Sequence, residues 1–463
     1  MLRRLLVSAL ALCLAPVALS FSSTAGGSVL GTGNYIVVLK NGSSVPAVAS
    51  TASGLGATVD GLFGAVGSLV TSLTTSQLNS LRHDPRVAYV AENRPVHVLD
   101  SGSDASSVPA VPTGVERIGA APALNPDGSV ATSAGTGASA TPAKKAAVAL
   151  LDTGVETRPD LNVVGGYDCA PTSTGGFLGL FGRRRNVNDS NGAANGIPAD
   201  ENGHGTHVAG IVADKGIPGV VGVSPGTPIY AVRVFGADGS GDISNVICGL
   251  NWVAQNAAAD NIKVVNMSLG GEGTSDDNCG ATDQDPFHAA VCQVTAAGVT
   301  VVVAAGNDGG DLSQSTPAAY PEVLAVTAIS DFDGQPGGLA TTADCSDGAR
   351  EQDDTAATYS DYATPGSADA NHTIAAPGTC ITSTWNDGGI ATISGTSMAS
   401  PHVAGLVARC IDAGPCASMT PAQIIAKLRS DAAARPANTG FVGDSHTPVP
   451  DRYYGDLADD AGY

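Results

Sequence analysis

The sequence predicts an α/β protein: a doubly wound, mainly parallel sheet covered by helices on both faces, preceded by a small α+β unit. Three observations predict it. From about Val115 onward, short apolar runs alternate with longer segments of helical period. Those runs are continuously apolar, as strands buried on both faces are. A stretch of linker composition, SGSDASSVPAVPTG at residues 101–114, separates this body from a first unit with a different pattern.

Taken in order, MLRRLLVSALALCLAPVALS opens on Arg3 and Arg4, runs apolar from Leu5 to Leu14 and ends on small residues. That is the form of a secretory signal peptide over residues 1–25, with cleavage expected after Ser20 or Ala25. The apolar run is too short to cross a bilayer, and no later segment holds the roughly 18 apolar residues a span needs. Residues 34–98 form the α+β unit. NYIVVLK (34–40) reads as a strand, 75–83 as a helix with Leu78 and Leu81 at helical spacing, and RVAYVAENRPVHVL (86–99) as strands broken at Pro95. Residues 99–114 form the linker. In the main domain, 115–435, strands are expected at 146–151, 229–235, 263–267, 300–305 and 323–328. Helices are expected at 243–258 and 286–297, where Ile243, Val246, Ile247, Leu250 and Val253, then Phe287, Ala290, Val291 and Val294, recur at three-and-four spacing. Residues 177–185, ending in Arg183-Arg184-Arg185, read as a surface insertion, and 436–463 as an acidic tail.

Composition agrees with two or three folded units. The chain has 463 residues, 43% hydrophobic and 14% charged, enough apolar material for a large core. Six Lys/Arg against four Asp/Glu leave residues 1–100 at +2; with −21 overall, residues 101–463 carry −23. Repulsion on that scale argues against a nucleic-acid partner. Cys13 lies in the signal peptide, and eight cysteines remain. In an exported chain they read as four disulfides. Sequence proximity favours Cys410–Cys416 and Cys279–Cys292; Cys345–Cys380 and Cys169–Cys248 follow only by elimination.

The chemistry-bearing residues sit at strand ends and helix starts. LLDTGV puts Asp152 directly after a strand. NGHGTHVAG puts His204 at the glycine-rich entry to an apolar helix, and AAGNDGG puts Asn307 past the end of a strand. GTSMASPHVAG puts Ser397 at a helix start, with Gly395 making room behind it. His402 is the nearer histidine, but five residues along a helix it has turned about 140° away from Ser397. Together these residues supply one mechanism: a serine nucleophile, a histidine base, a carboxylate to orient it, and two donors for an oxyanion.

LLDTGV, NGHGTHVAG, NMSLGG, AAGNDGG and SGTSMASPHVAG, in that order, resemble the signature segments of the subtilisin-like serine proteases, or subtilases. The resemblance covers about residues 115–430. It implies Asp152, His204 and Ser397 as the triad and Asn307 as the oxyanion donor. It implies that Gly239, Ser240 and Gly241 on one side, and Ser268, Leu269 and Gly270 on the other, grip the substrate as an added strand. Ala304, Ala305 and Gly306 would line a roomy pocket for the residue before the scissile bond. Residues 34–98 resemble, less tightly, the family's inhibitory propeptide, with self-cleavage expected within residues 99–111. The implied protein is a secreted, self-processing serine endopeptidase acting as a monomer on proteins or peptides, with no cofactor for the chemistry. Residues 213–225 stand where many subtilisins carry a calcium loop, but Lys215, Gly216, Ile217 and Pro218 offer no oxygen side chains, so no calcium is expected there. Calcium elsewhere, for example at the acidic tail, stays open.

Two rival readings exist. An α/β-hydrolase esterase would use Ser397, Asp431 and His446, which have that family's order, but leaves Asp152 and His204 without a task. A secreted binding protein could keep the fold without the chemistry, yet all four catalytic residues are present. His207 reads as a packed, hydrogen-bonded residue rather than a metal ligand.

Overall fold

A computed structural model of the chain describes residues 32–100, 111–121, 145–170, 196–216, 220–341, 343, 345 and 347–463. The expected signal peptide, the insertion at 177–185 and most of the linker lie outside the described residues. The N-terminal unit runs β1 (Gly33–Leu39), α1 (Val45–Gly54), β2 (Thr58–Phe63), β3 (Ser68–Leu73), α2 (Thr75–Arg82) and β4 (Val87–Glu92). Its antiparallel sheet has the order β2-β3-β1-β4. Helix α2 starts where Thr74 and Gln77 form a reciprocal capping box. Strand alternation gives the sheet two apolar faces. Val37, Leu39, Leu69 and Val90 pack under the two helices, while Ile36, Val38, Val70 and Tyr89 pack on the main body.

Next in the chain come β5 (Pro95–Val98), α3 (Thr113–Arg117), β6 (Ala147–Asp152), β7 (Val163–Asp168), α4 (His204–Ala213), β8 (Ile229–Arg233), β9 (Ser240–Asp242), α5 (Ile243–Asp260), β10 (Ile262–Met267) and β11 (Leu269–Glu272). They are followed by α6 (Pro286–Ala296), β12 (Thr300–Ala304), β13 (Ser315–Thr316), β14 (Val323–Ser330), β15 (Thr355–Ala356), β16 (Thr373–Pro377), β17 (Ile381–Thr384), β18 (Ile390–Ile393), α7 (Thr396–Ala413) and α8 (Pro421–Ala433).

Among the described residues, β7-β8-β6-β10-β12-β14 lie parallel in that order; β16 joins β14 in parallel and β15 joins it antiparallel. Alternate residues of the central strands feed different cores. Val148, Leu150, Val264 and Val302 pack with α4 and α7; Ala149, Leu151, Val265 and Val303 pack with α5 and α6. This is the doubly wound, mainly parallel α/β fold that the strand pattern predicts. The chain leaves β6 for β8 on one side and later returns to β10 on the other, so a crevice opens at the carboxyl ends beside β6. Cys169–Cys248, Cys279–Cys292, Cys345–Cys380 and Cys410–Cys416 are the disulfides of the described residues.

Residues 436–463 differ from the expected tail. Phe441, Tyr454, Leu457 and Ala458, none more than 3% exposed, join the core beside α7 and α8. Two of its acids are paired with arginines, Asp459 with Arg435 and Asp460 with Arg409. Widely spaced apolar anchors with no period leave such a segment unmarked in sequence.

One buried acid makes the fold pH-sensitive. Asp214, at the end of α4, is fully buried, and its Oδ2 finds no hydrogen-bond partner among the described residues. Burial pushes its carboxyl up to about 7. The folded form therefore holds this proton more tightly than the unfolded form. Its penalty is absent below about pH 4, grows as pH rises and is complete above about pH 7. In thermal melts Asp214→Asn is expected to stabilise the fold more at pH 9 than at pH 5, by about 2–3 kcal/mol. Equal shifts at both pH values would refute the assignment.

Candidate active site

Asp152 ends β6 and is 1% exposed. Its Oδ1 accepts from Nδ1 of His204 at 2.7 Å and from the Thr153 amide at 2.7 Å. His204 is the first residue of α4, and Asp200 fixes that helix start. The Asp200 carboxylate accepts the Gly203 amide (2.8 Å), the Thr206 amide (2.9 Å) and the hydroxyls of Thr206 (2.6 Å) and Thr153 (2.9 Å). Strand end and helix start are thereby tied through one anion at a helix N-terminus. Burial opposes the imidazolium, but the Asp152 carboxylate outweighs it, with Asp100 and Asp200 adding to the effect; the His204 ring is pushed up to about 9.

Ser397 lies in the first turn of α7, where backbone amides have no helical carbonyl to meet. Pro401, inside the same helix, has no N–H for the Ser397 carbonyl. Ser268 takes that carbonyl instead, its Oγ donating at 2.7 Å. Asn266 donates to Ser268 Oγ at 3.0 Å, and Ser400 donates to Asn266 at 2.6 Å. The Ser397 hydroxyl itself donates to the Ser268 carbonyl at 3.0 Å. His204 Nε2 is buried and has no hydrogen-bond partner among the described residues, so Ser397 and His204 are not joined in this state.

Asn307 follows the end of β12. Its Oδ1 accepts the Thr396 amide (2.9 Å) and hydroxyl (2.8 Å), which turns Nδ2 into the crevice. There Nδ2 donates to the Leu99 carbonyl at 2.8 Å. Gly395 keeps this space open, because a Cβ there would collide with the Leu99 carbonyl oxygen.

The crevice is filled by the chain itself. Strand β5 lies antiparallel between β9 and β11: Val96 faces Gly241, His97 faces Ser240 and Gly270, and Val98 faces Leu269. The order of this small sheet is β13-β11-β5-β9. The Val98 amide also donates to Gly239 at 3.1 Å. The Leu99 amide then donates to Ser397 Oγ at 3.1 Å. The N-terminal unit is further tied to the start of α5, where Arg94 and Asn93 accept the amides of Ile243 (2.8 Å) and Ser244 (2.9 Å).

The structure thus brings Asp152, His204, Ser397 and Asn307 to one crevice, with Gly239 to Gly241 and Ser268 to Gly270 as its walls. Ala304, Ala305 and Gly306 continue from β12 into the turn before Asn307. Asp431 and His446 of the esterase alternative play no part: Asp431 pairs with Lys427 on α8, and His446 follows a turn built on Asp444. His207 is packed as expected, its Nε2 between the carbonyls of Ile381 and Ala391, and burial pushes it down to about 3. His402 has Nδ1 on the Met398 carbonyl and is pushed down to about 4 by burial. Sequence patterns singled out neither Leu99 as the residue on Ser397, nor Thr396 as the anchor of Asn307, nor Asp200. A helix-opening motif with Asp four residues before the histidine was the available signal for the last.

A buried aspartate-histidine pair, a helix-start serine and an amide donor, set on a parallel sheet at its strand ends, define a serine hydrolase of the triad type. Residues 143–455 match the family model described as "Subtilase family". M-protease of Shouchella clausii (strain KSM-K16) is 34% identical over 343 residues, 73% of this chain and 68% of that protein. Subtilisin E of Bacillus subtilis (strain 168) is 31% identical over 421 residues, 89% of this chain and 88% of that protein. In fold, the chain matches the crystal structure of an epidermin leader peptide processing serine protease from Staphylococcus aureus, with a TM-score of 0.64 at 18% identity, covering 93% of this chain and 97% of that one. The chain belongs to the subtilase family and is a subtilisin-like serine endopeptidase.

Subtilases need no cofactor for catalysis. Among the described residues two side-chain groups have the make-up of metal sites, but each has members already engaged. In the first, Cys279 and Cys292, beside His288 and Glu322, are joined to each other. In the second, Asp331, near Asp333 and Asp353, lies 2.5 Å from the buried guanidinium of Arg117, which also pairs with Asp354. Among the described residues no helix is long and apolar enough to cross a membrane.

Proposed function

We propose that the chain is the precursor of a secreted endopeptidase, that Asp152, His204, Ser397 and Asn307 carry its chemistry, and that residues 34–99 are its propeptide and first substrate. The observation that carries this reading is the position of Leu99. Its carbonyl oxygen is held by Asn307 Nδ2 at 2.8 Å while its amide touches Ser397 Oγ at 3.1 Å. That is where the acyl residue of a bound substrate belongs.

From there the steps follow from the groups present. His204, with Nδ1–H held by Asp152, accepts the Ser397 proton at Nε2 once the hydroxyl swings from the Ser268 carbonyl towards it. Ser397 Oγ attacks the carbonyl carbon, and the charge gathering on oxygen is met by Asn307 Nδ2 and by the amide of Ser397. His204 returns the proton to the departing amine, and water cleaves the acyl-enzyme by the same route in reverse. Strand pairing with β9 and β11 supplies binding that ignores substrate side chains. Val96 is 2% exposed and the Leu99 side chain packs against Gly270, which favours apolar residues at the scissile position and three before it. The signal-peptide composition of residues 1–25 supports export, and the four disulfides suit an oxidising compartment.

The maturation cut is expected between Leu99 and Asp100, within the interval 99–111 that the sequence suggests. Intact mass analysis of the fragment first released from the precursor checks it: the expected C-terminus is Leu99. A first fragment ending at any residue of 101–111 would refute the placement.

A further inference from the structure

The turn that presents Asn307 is not held by regular structure. Gly306 and Gly309 sit at φ of +122° and +62°, and residues 305–311 belong to no helix or strand. The segment 359–362 splints this turn. The Gly309 amide donates to the Tyr359 carbonyl (2.7 Å), the Asp361 amide to Gly306 (3.0 Å) and the Tyr362 amide to Gly310 (3.0 Å). Asp361 adds its side chain. Oδ1 accepts the amides of Asp308 (3.0 Å) and Gly310 (2.8 Å), and Oδ2 lies against Gly306 where any Cβ would collide with it. The residue is 2% exposed, and among the described residues no Lys or Arg pairs with it. A carboxylate buried without a countercharge is costly unless amides surround it. Here the amides it collects, those of Asp308 and Gly310, lie one and three residues past the oxyanion donor.

We propose that Asp361 is a positioning residue for peptide hydrolysis: by clamping the amides of Asp308 and Gly310 it fixes the direction in which Asn307 Nδ2 points. The inference rests on the reading of Asn307 as oxyanion donor. Asn307 is suspended from two sides, its amide oxygen from Thr396 on α7 and its backbone from Asp361. Loss of the second support frees the turn, and the donor then has to be ordered in each transition state rather than beforehand.

The test is a double-mutant cycle on the matured enzyme. Asp361→Ala is expected to lower kcat about 10- to 100-fold with KM nearly unchanged. Affinity for a peptide aldehyde, whose adduct carries the oxyanion, should fall by the same factor, while affinity for the cleaved product peptide stays constant. Asp361→Asn, which keeps an accepting oxygen in place, should recover most of the loss. In an Asn307→Ala background the Asp361 change should lower kcat by no more than about twofold, since the two act through one donor. If the alanine variant does not accumulate, Asp361→Ser, too short to reach both amides, carries the same cycle. A loss that multiplies undiminished in the Asn307→Ala background, or wild-type kcat in Asp361→Ala, overturns the proposal alone. Wild-type kcat in Asn307→Ala itself overturns the oxyanion assignment and this proposal with it.

Discussion

Replacing Ser397 by alanine is expected to lower peptide hydrolysis about 10⁶-fold, the scale on which a triad serine acts. It is also expected to leave the chain uncut between Leu99 and Asp100. Both effects come from one atom. Ser397 Oγ is the hydroxyl in contact with the Leu99 amide, and its neighbours Thr396 and Ser400 are occupied elsewhere, by Asn307 and Asn266. The fold should survive, because among the described residues Oγ bonds just the Ser268 carbonyl and the Leu99 amide. Gel analysis of the secreted variant together with an assay on a peptide amide gives the answer. An alanine variant that matures normally on its own would show that the first cut is not made by its own serine.

Replacing Asp152 by asparagine is expected to lower kcat about 10⁴-fold near neutral pH, the scale for a triad carboxylate. The pH profile provides the sharper reading. Only neutral His204 can accept a proton, so kcat/KM rises with pH through the titration of this ring and levels off above it. Burial alone would lower that titration; the Asp152 carboxylate, 2.7 Å from Nδ1, raises it to about 9 in the precursor. Without the carboxylate the ascending limb should move to lower pH while the plateau falls. Asp100 adds to this rise in the precursor; cleavage after Leu99 is expected to free that end of the chain to move off, so the matured enzyme should titrate below the precursor. A limb that stays in place in Asp152→Asn would mean that another group sets it.

The sheet and the gathering of Asp152, His204, Asn307 and Ser397 at its strand ends were legible because each obeys a local rule. Buried parallel strands are continuously apolar, and β6, β10, β12 and β14 all read that way. Polar side chains that follow strand ends or open helices mark those boundaries, and Asp152, His204, Asn307 and Ser397 all stand at such places. What the sequence could not give depends on contacts between distant segments. Asp361 lies 54 residues past Asn307, in a stretch with no period. The strands β2 and β3 carry serine, threonine and glycine that blur alternation. Residues 436–463 read as an acidic tail because their acids were counted before the arginine partners of Asp459 and Asp460, just past α8 and on α7, could be known. The sequence suggested only an interval of residues 99–111 for the proposed cut; the register that puts Leu99 beside Ser397 comes from the pairing of β5 with both walls.

In the proposed maturation β5 is cut away, and for the small sheet β13-β11-β5-β9 that has a further consequence. Its middle member is then missing, and two short backbone edges, at Ser240–Asp242 and Leu269–Glu272, face each other across an empty slot. Such a slot accepts main chain, whatever the residues, but only main chain that is extended and unpaired. A folded protein offers little of that apart from loops and frayed ends. The matured enzyme should therefore sort its targets first by how loosely they are folded and only second by sequence, sparing compact neighbours and consuming unravelled ones.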